Sequence, residues 1–188
     1  MLHICTPLYR FDNVKDVYMS LPKSDDVMWH VSKSSKRTDE FWFPKDDPRV
    51  KLYVVDTSDS DTSSKRNVVF DNIHDGWFHL LDDDTYFMKS MYKLYEKIKE
   101  ENYVGMVNGR QTKMGGGIRL YTLPVPMLAR IDTGNVLCHH SVLRHVKWGP
   151  DEKDPELPKD FVFWKKVYNY FGELKQIPDI ISIYNALQ

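Results

Sequence analysis

Cysteine is scarce in this chain. Cys5 and Cys138 are the only two in 188 residues, and both sit inside apolar, strand-like runs. Two such thiols are expected to be buried and free, which argues against a disulfide framework or a zinc site. Excess charge is missing as well. The 26 Lys and Arg residues nearly balance 27 Asp and Glu, for a formal net charge of −1. Bulk charge therefore favours neither nucleic acid nor a membrane surface as partner. Long apolar runs are lacking too, and none is long enough to span a bilayer. The strand-like "LHICTPLY" starts directly after Met1 and leaves no room for a signal peptide or anchor, so a soluble, cytoplasmic protein is expected. The length suits one domain, residues 1–188, with a single buried core.

What the chain does contain is an alternation of apolar strand-like runs with helix-like ones. "LHICT", "VMWHVS", "VKLYVVD", "GWFHLL" and "YVGMVN" read as strands. Helices are expected around Asn13 to Ser20, over "DTSSKRNVVFDNI" with Thr62 or Ser63 as cap, and over "SMYKLYEKIKEE". This β-α-β order predicts an α/β fold with a largely parallel sheet and helices on both faces. The second half is less regular. "TKMGGGIRLYTLP" gives three glycines and a short strand, "IDTGNVLCHHSVLRHV" a strand and a helix, and "LPKDFVFWKKVYNYF" a strong helix. The aromatic stretch "KSSKRTDEFWFPKDDPR" is long enough to be a functional or mobile loop. Ligands of such sheets collect at the carboxyl ends of the strands, so "CTPLYR" and "DDD" should meet there.

The triplet Asp82, Asp83 and Asp84 poses the main question. In an extended segment Asp82 and Asp84 would point the same way, roughly 6–7 Å apart. At an effective dielectric of about 20 their repulsion is on the order of 2–3 kcal/mol. One explanation is a helix cap, since a helical stretch follows. A cap needs a single acid, however, and a divalent cation such as Mg²⁺ or Mn²⁺ accounts better for three.

The strand ending in "TPLYR", then "SSKRNVVFDNIHDGWFHLLDDD", then "KDFVFWKKV" together resemble the GT-A glycosyltransferases, particularly small family-2-like enzymes. Similar small domains occur in large DNA viruses and phages, which would place such a protein in the host cytoplasm. The resemblance implies a nucleotide-diphospho-sugar transferase fold with a mostly parallel mixed sheet flanked by helices. It also implies a nucleotide-binding half over residues 1–108 and an acceptor half over 109–188. The implied reaction moves a sugar from a nucleotide-sugar donor, UDP-linked by preference, to a hydroxyl acceptor with Mn²⁺ or Mg²⁺. Asp84 would ligate the metal together with Asp82, while Asp82 and Asp83 reach the ribose. Thr6, Pro7 and Tyr9 would border the nucleoside, and Arg66, helped by Arg10, would face phosphate oxygens. Asp160 would be the catalytic base, with Asp132 as its competitor for that role, and Asp132, Gly116 and Gly117 would meet sugar or acceptor. Lys65 is expected to be solvated. Two features depart from the family pattern. "VSKSS" stands where an acid pair commonly reads the base, and no histidine follows His145, so either His139, His140 or His145 would stand in as a metal ligand or water would fill the metal shell. The competing functions are a haloacid-dehalogenase-type phosphatase and a non-catalytic sugar- or nucleotide-binding module. The phosphatase motif, however, wants Thr or Val where this chain has Tyr86.

Overall fold

The computed structural model describes residues 1–121, 125–128, 130–184 and 187 of the chain, with Tyr184 described by its backbone alone. In chain order the strands are β1 (Leu2–Pro7), β2 (Val27–Ser34), β3 (Val50–Val55), β4 (Trp77–Leu80), β5 (Met106–Lys113), β6 (Ile118–Leu120), β7 (Val136–His139) and β8 (Lys175–Tyr184). The α-helices are α1 (Val14–Ser20), α2 (Thr62–Phe70), α3 (Lys89–Glu100) and α4 (Lys159–Phe171). They build one mixed sheet in the order β3-β2-β1-β4-β7-β5-β6, with β8 paired to β5. β1 to β4 are mutually parallel, and β7 runs against both β4 and β5. The expected α/β architecture, a mostly parallel sheet flanked by helices, is the one observed.

Strand alternation sends side chains to two cores, because successive residues of a strand point to opposite faces. Leu2 and Ile4 of β1 and Trp77 of β4 join Val14 and Val17 of α1 and Met91, Leu94, Tyr95 and Ile98 of α3. Cys5, Phe78 and Leu80 join Val69 and Phe70 of α2 and Phe163, Trp164 and Val167 of α4 on the other side. Cys5 and Cys138 are buried free thiols, as expected. Burial pushes both thiols well above their ordinary pKa, so they pack as small apolar groups.

Local chemistry explains where the elements differ from expectation. Asp61, rather than Thr62 or Ser63, caps α2, its carboxylate accepting from Ser63 N–H at 2.9 Å and Ser64 N–H at 3.2 Å. β5 begins at Met106 because α3 ends in a left-handed turn at Asn102 (φ 50°), where Tyr103 N–H bonds back to Ile98 at 3.1 Å. The segment His140–Arg144 is a 3-10 turn, not an α-helix. β8 was not expected from its sequence, "KQIPDIISIY". It pairs parallel to β5, and its Pro178 interrupts the β-pattern without ending the strand. The aromatic loop is anchored: Phe41 packs on Phe11 at 4.5 Å and Trp42 on Tyr18 at 5.4 Å between ring centres.

A line of polar side chains crosses β1, β2 and β3. Asp75 Oδ1 lies 2.8 Å from His3 Nε2, His3 Nδ1 lies 2.9 Å from His30 Nε2, and His30 Nδ1 lies 2.9 Å from Tyr53 Oη. Burial lowers the pKa of both imidazoles, that of His30 to about 3, and so favours the neutral rings. An ionised carboxylate only accepts, and with neutral rings that sets the order: His3 Nε2–H donates to Asp75, His30 Nε2–H donates to His3, and Tyr53 O–H donates to His30.

Candidate active site

The carboxyl ends of β1 and β4 lie side by side, and the turn after β4 joins them. β4 stops at Leu80, so the aspartates occupy a turn closed by Thr85 N–H on the Asp82 carbonyl at 3.1 Å. None of them caps α3, whose N-cap is Met88 with no side-chain bond. The helix-cap explanation of the triplet is thereby removed. The three acids have different surroundings. Asp83 is buried, and its Oδ2 accepts from the backbone N–H groups of Tyr9 at 2.5 Å and Arg10 at 2.6 Å. Its Oδ1 takes the Arg10 guanidinium at 2.8 Å. Asp83 therefore fastens the loop after β1 to the turn after β4, and all of these bonds are to the protein itself. Asp84 is also buried and meets Arg10 Nη1 at 3.1 Å and the Thr85 hydroxyl at 3.2 Å.

Asp82 faces an open cleft of about 550 Å³ lined by Thr62, Arg66, Asp132, Trp148, Asp160 and their neighbours. Arg66 Nη2 donates to its Oδ1 at 2.8 Å. The Thr133 hydroxyl lies 3.1 Å from Asp82 Oδ2 and 3.1 Å from Asp132 Oδ1. That hydroxyl carries one proton and can satisfy only one of the two acids at a time. The side chain of Asp82 stays 41% exposed to the cleft, but the protein packed around it still desolvates the charge. This desolvation raises its pKa, with Arg66 opposing and Asp132 and Asp84 adding to the rise.

Asp132 and Asp160 both line the cleft. Asp132 caps a short 3-10 turn, Thr133–Asn135, in a reciprocal capping box, and Arg119 from β6 holds its Oδ2 at 2.6 Å. Asp160 lies in the first turn of α4, where its Oδ1 accepts from Phe161 N–H at 3.0 Å. No cation pairs with Asp160 among the described residues. Desolvation, then the nearby Asp132 charge, raises its pKa against the pull of the helix N–H groups.

Arg66 is held on two sides. Its guanidinium lies 3.9 Å over the Trp148 ring, and the backbone of Trp148 is gripped by its sequence neighbour Asn67. Asn67 Oδ1 accepts from Trp148 N–H at 2.8 Å, and Asn67 Nδ2 donates to the Trp148 carbonyl at 2.9 Å. Trp148 also packs on Phe163 of α4 at 4.8 Å. One indole thus ties the arginine of α2 to the helix that carries Asp160.

Several expected site residues do not themselves line this cleft. Thr6 is buried and its hydroxyl accepts from the Trp29 indole at 2.9 Å, while Pro7 is buried in the sheet. Tyr9 donates to Thr62 Oγ1 at 2.7 Å and presents its ring to Lys65 Nζ at 3.6 Å. Lys65 is fully buried, not solvated, because the Leu8 and Asp59 carbonyls and the Asp59 carboxylate take its ammonium. Gly116 and Gly117 form the exposed tip of the β5–β6 hairpin at φ 97° and 87°. They do not line the cleft; the same hairpin contributes Arg119 instead. His139 pairs with Trp77 and the His140 N–H with the Gly76 carbonyl, both at the amino end of β4. His145 stacks on Tyr170. The stand-in histidines are thus placed by other contacts, two of them at the wrong end of β4.

Comparison with known proteins identifies the architecture. No family model and no curated protein sequence matches the chain. A crystal structure of S. aureus TarS superposes with a TM-score of 0.72 at 14% identity, covering 97% of this chain and 36% of that one. The chain shares its fold with TarS. TarS 1–349 in complex with UDP gives a TM-score of 0.72 at 13% identity, covering 97% of this chain and 59% of that one. TarS 1–349 in complex with UDP-GlcNAc gives 0.69 at 14% identity, covering 97% and 57%. The chain thus spans between about a third and three-fifths of the TarS chains it matches.

Residues that the sequence did not mark as site residues complete the cleft: Thr62, Arg119, Thr133, Trp148 and Lys159. Arg119 could have been flagged as the one cation following "GGGI". Trp148 leaves no local signal, since what places it is Asn67, 81 residues away.

Proposed function

We propose that this chain is a glycosyltransferase of GT-A type that transfers a sugar from a UDP-sugar to a hydroxyl acceptor with the help of a divalent ion. The observation that carries the proposal is the cleft at the carboxyl ends of the strands. It brings Asp82, Arg66, Asp132 and Asp160 together, in a fold shared with a protein solved in complex with UDP and UDP-GlcNAc. Among the described residues no three His, Cys, Asp or Glu side chains form a metal cage. Two carboxylates suit an ion that completes its shell with diphosphate oxygens and water, as Mg²⁺ commonly does. Asp84 with Asp82 would hold that ion, and when bound it would neutralise charge on the departing diphosphate.

The protein groups supply the rest. Arg66, fixed by Asp82 and Trp148, offers N–H donors to the diphosphate. Asp160 accepts the proton of the acceptor hydroxyl as its oxygen bonds to the sugar C1. The bond from C1 to the phosphate oxygen breaks, and UDP leaves with that electron pair. Asp132, already paired with Arg119, is poorly suited to the proton but well placed to orient a sugar hydroxyl. Direct attack on this path inverts the anomeric centre.

The test is turnover of UDP-sugars with Mn²⁺ against EDTA, on the chain and on Asp84→Asn. Loss of activity in both EDTA and the variant is expected, by about 100-fold or more. Full activity of Asp84→Asn would remove that residue from the metal site. Binding of UDP-sugar without any turnover would favour the binding module, and release of phosphate from a phosphomonoester the phosphatase.

A further inference from the structure

Arg10 is the cation that covers Asp84, and it does so asymmetrically. The Asp84 side chain is 9% exposed, whereas that of Arg10 is 48% exposed. A long, half-solvated side chain therefore lies over a fixed, buried acid. Asp83, the other partner of Arg10, does not depend on the guanidinium. It keeps the Tyr9 and Arg10 backbone N–H groups whatever residue stands at position 10. For Asp84 the one cation within 4 Å among the described residues is Arg10. The same guanidinium bridges Asp83 Oδ1 and Asp84 Oδ2, at 2.8 and 3.1 Å. A divalent ion reaching Asp84 would meet the Arg10 guanidinium on Oδ2 and the Thr85 hydroxyl on Oδ1, and so compete with Arg10 for the carboxylate.

We propose that Arg10 is an exchangeable counter-cation, resting on Asp84 until a divalent ion takes that carboxylate and then turning to the diphosphate that arrives with the ion. This rests on Asp84 being a metal ligand. The chemistry suits both positions, because a planar guanidinium pairs with a carboxylate or with two phosphate oxygens through the same fork of N–H groups. An ion on Asp84 and the guanidinium beside it repel each other, so the two compete for the carboxylate. Arg10 consequently disfavours the metal alone and favours the metal with its nucleotide. The acid turn is kept neutralised meanwhile. By linkage, this makes ion and donor bind as a pair.

The prediction has two signs, which a merely structural residue would not give. Mn²⁺ alone, titrated by electron paramagnetic resonance without nucleotide, should bind Arg10→Gln about three- to tenfold more tightly than the unaltered chain. UDP, measured by calorimetry in saturating Mn²⁺, should bind the same variant about tenfold more weakly. Arg10→Ala serves as a second variant, and circular dichroism confirms that each is folded. Unchanged or weaker Mn²⁺ binding in both folded variants overturns the exchange, as does unchanged UDP affinity. Asp84→Asn separates the layers. If it weakens Mn²⁺ binding while Arg10→Gln does not strengthen it, only the exchange fails. If Asp84→Asn leaves Mn²⁺ binding intact, the metal assignment and the exchange fall together.

Discussion

Asp132 and Asp160 share a cleft but are not equivalent bases. Arg119 and a capping box hold Asp132, whereas burial and the Asp132 charge keep the Asp160 carboxyl above its ordinary range. A general base must be deprotonated, so kcat/KM should rise with pH through this elevated pKa. Asp132→Asn removes the like charge that raises Asp160, so the acid limb of the pH profile should move to lower pH. A limb that stays in place would detach Asp160 from the profile. Asp160→Asn should keep UDP affinity while kcat falls by about 10²–10⁴; calorimetry beside turnover separates the two effects. Trp148→Ala strips the indole from Arg66. A double-mutant cycle with Arg66→Met, read by UDP affinity, should show a coupling of about 1 kcal/mol, whereas strict additivity would leave Trp148 a packing residue. The aspartate triplet stands out in the sequence because charge at a strand end is conspicuous, whereas Arg66, Asp132 and Asp160 lie on α2, a 3-10 turn and α4 and were expected from the resemblance alone. Lys65 reads as solvated because two of its three partners are backbone carbonyls, which no side-chain pattern announces.

At the scale of elements, α4 carries both packing and chemistry. Trp164 is fully buried and lies nearly parallel to Phe78 of β4, 9° between planes and 6.3 Å between centres. Trp164→Ala should destabilise the fold by about 3–5 kcal/mol in urea titration. Because α4 also starts at Lys159 beside Asp160, turnover should suffer in the variant even where it remains folded. The periodic helices α2, α3 and α4 and the strands β1 to β4 could be read from apolar spacing, since each faces a core with a regular period. β8 could not, because Pro178 and Asp179 break the alternation that marks a half-buried strand. The aromatic loop looked free because the sequence does not show that Phe11 and Tyr18 wait across from Phe41 and Trp42.

For the molecule as a whole, buried neutral histidines set the tolerance of acid. Burial lowers His30 to about 3 and His79 to about 4, from 6.5, and His3 is lowered as well. The unfolded chain binds these protons first, so stability is complete above pH 6.5 and should fall as the pH drops towards 3 to 4. His30→Gln should flatten that decline in melting temperature between pH 6.5 and 4, and an unchanged slope would acquit the histidine line. Parallel pairing of β8 with β5 also has a consequence for synthesis. Residues 175–184 pair with 107–113, and Leu187 N–H reaches back to the Asp84 carbonyl at 2.9 Å. A ribosome delivers the amino-terminal strands long before either contact can exist. The aspartate turn must therefore wait, only partly supported, until translation has passed residue 187 and the newest segment has threaded into place.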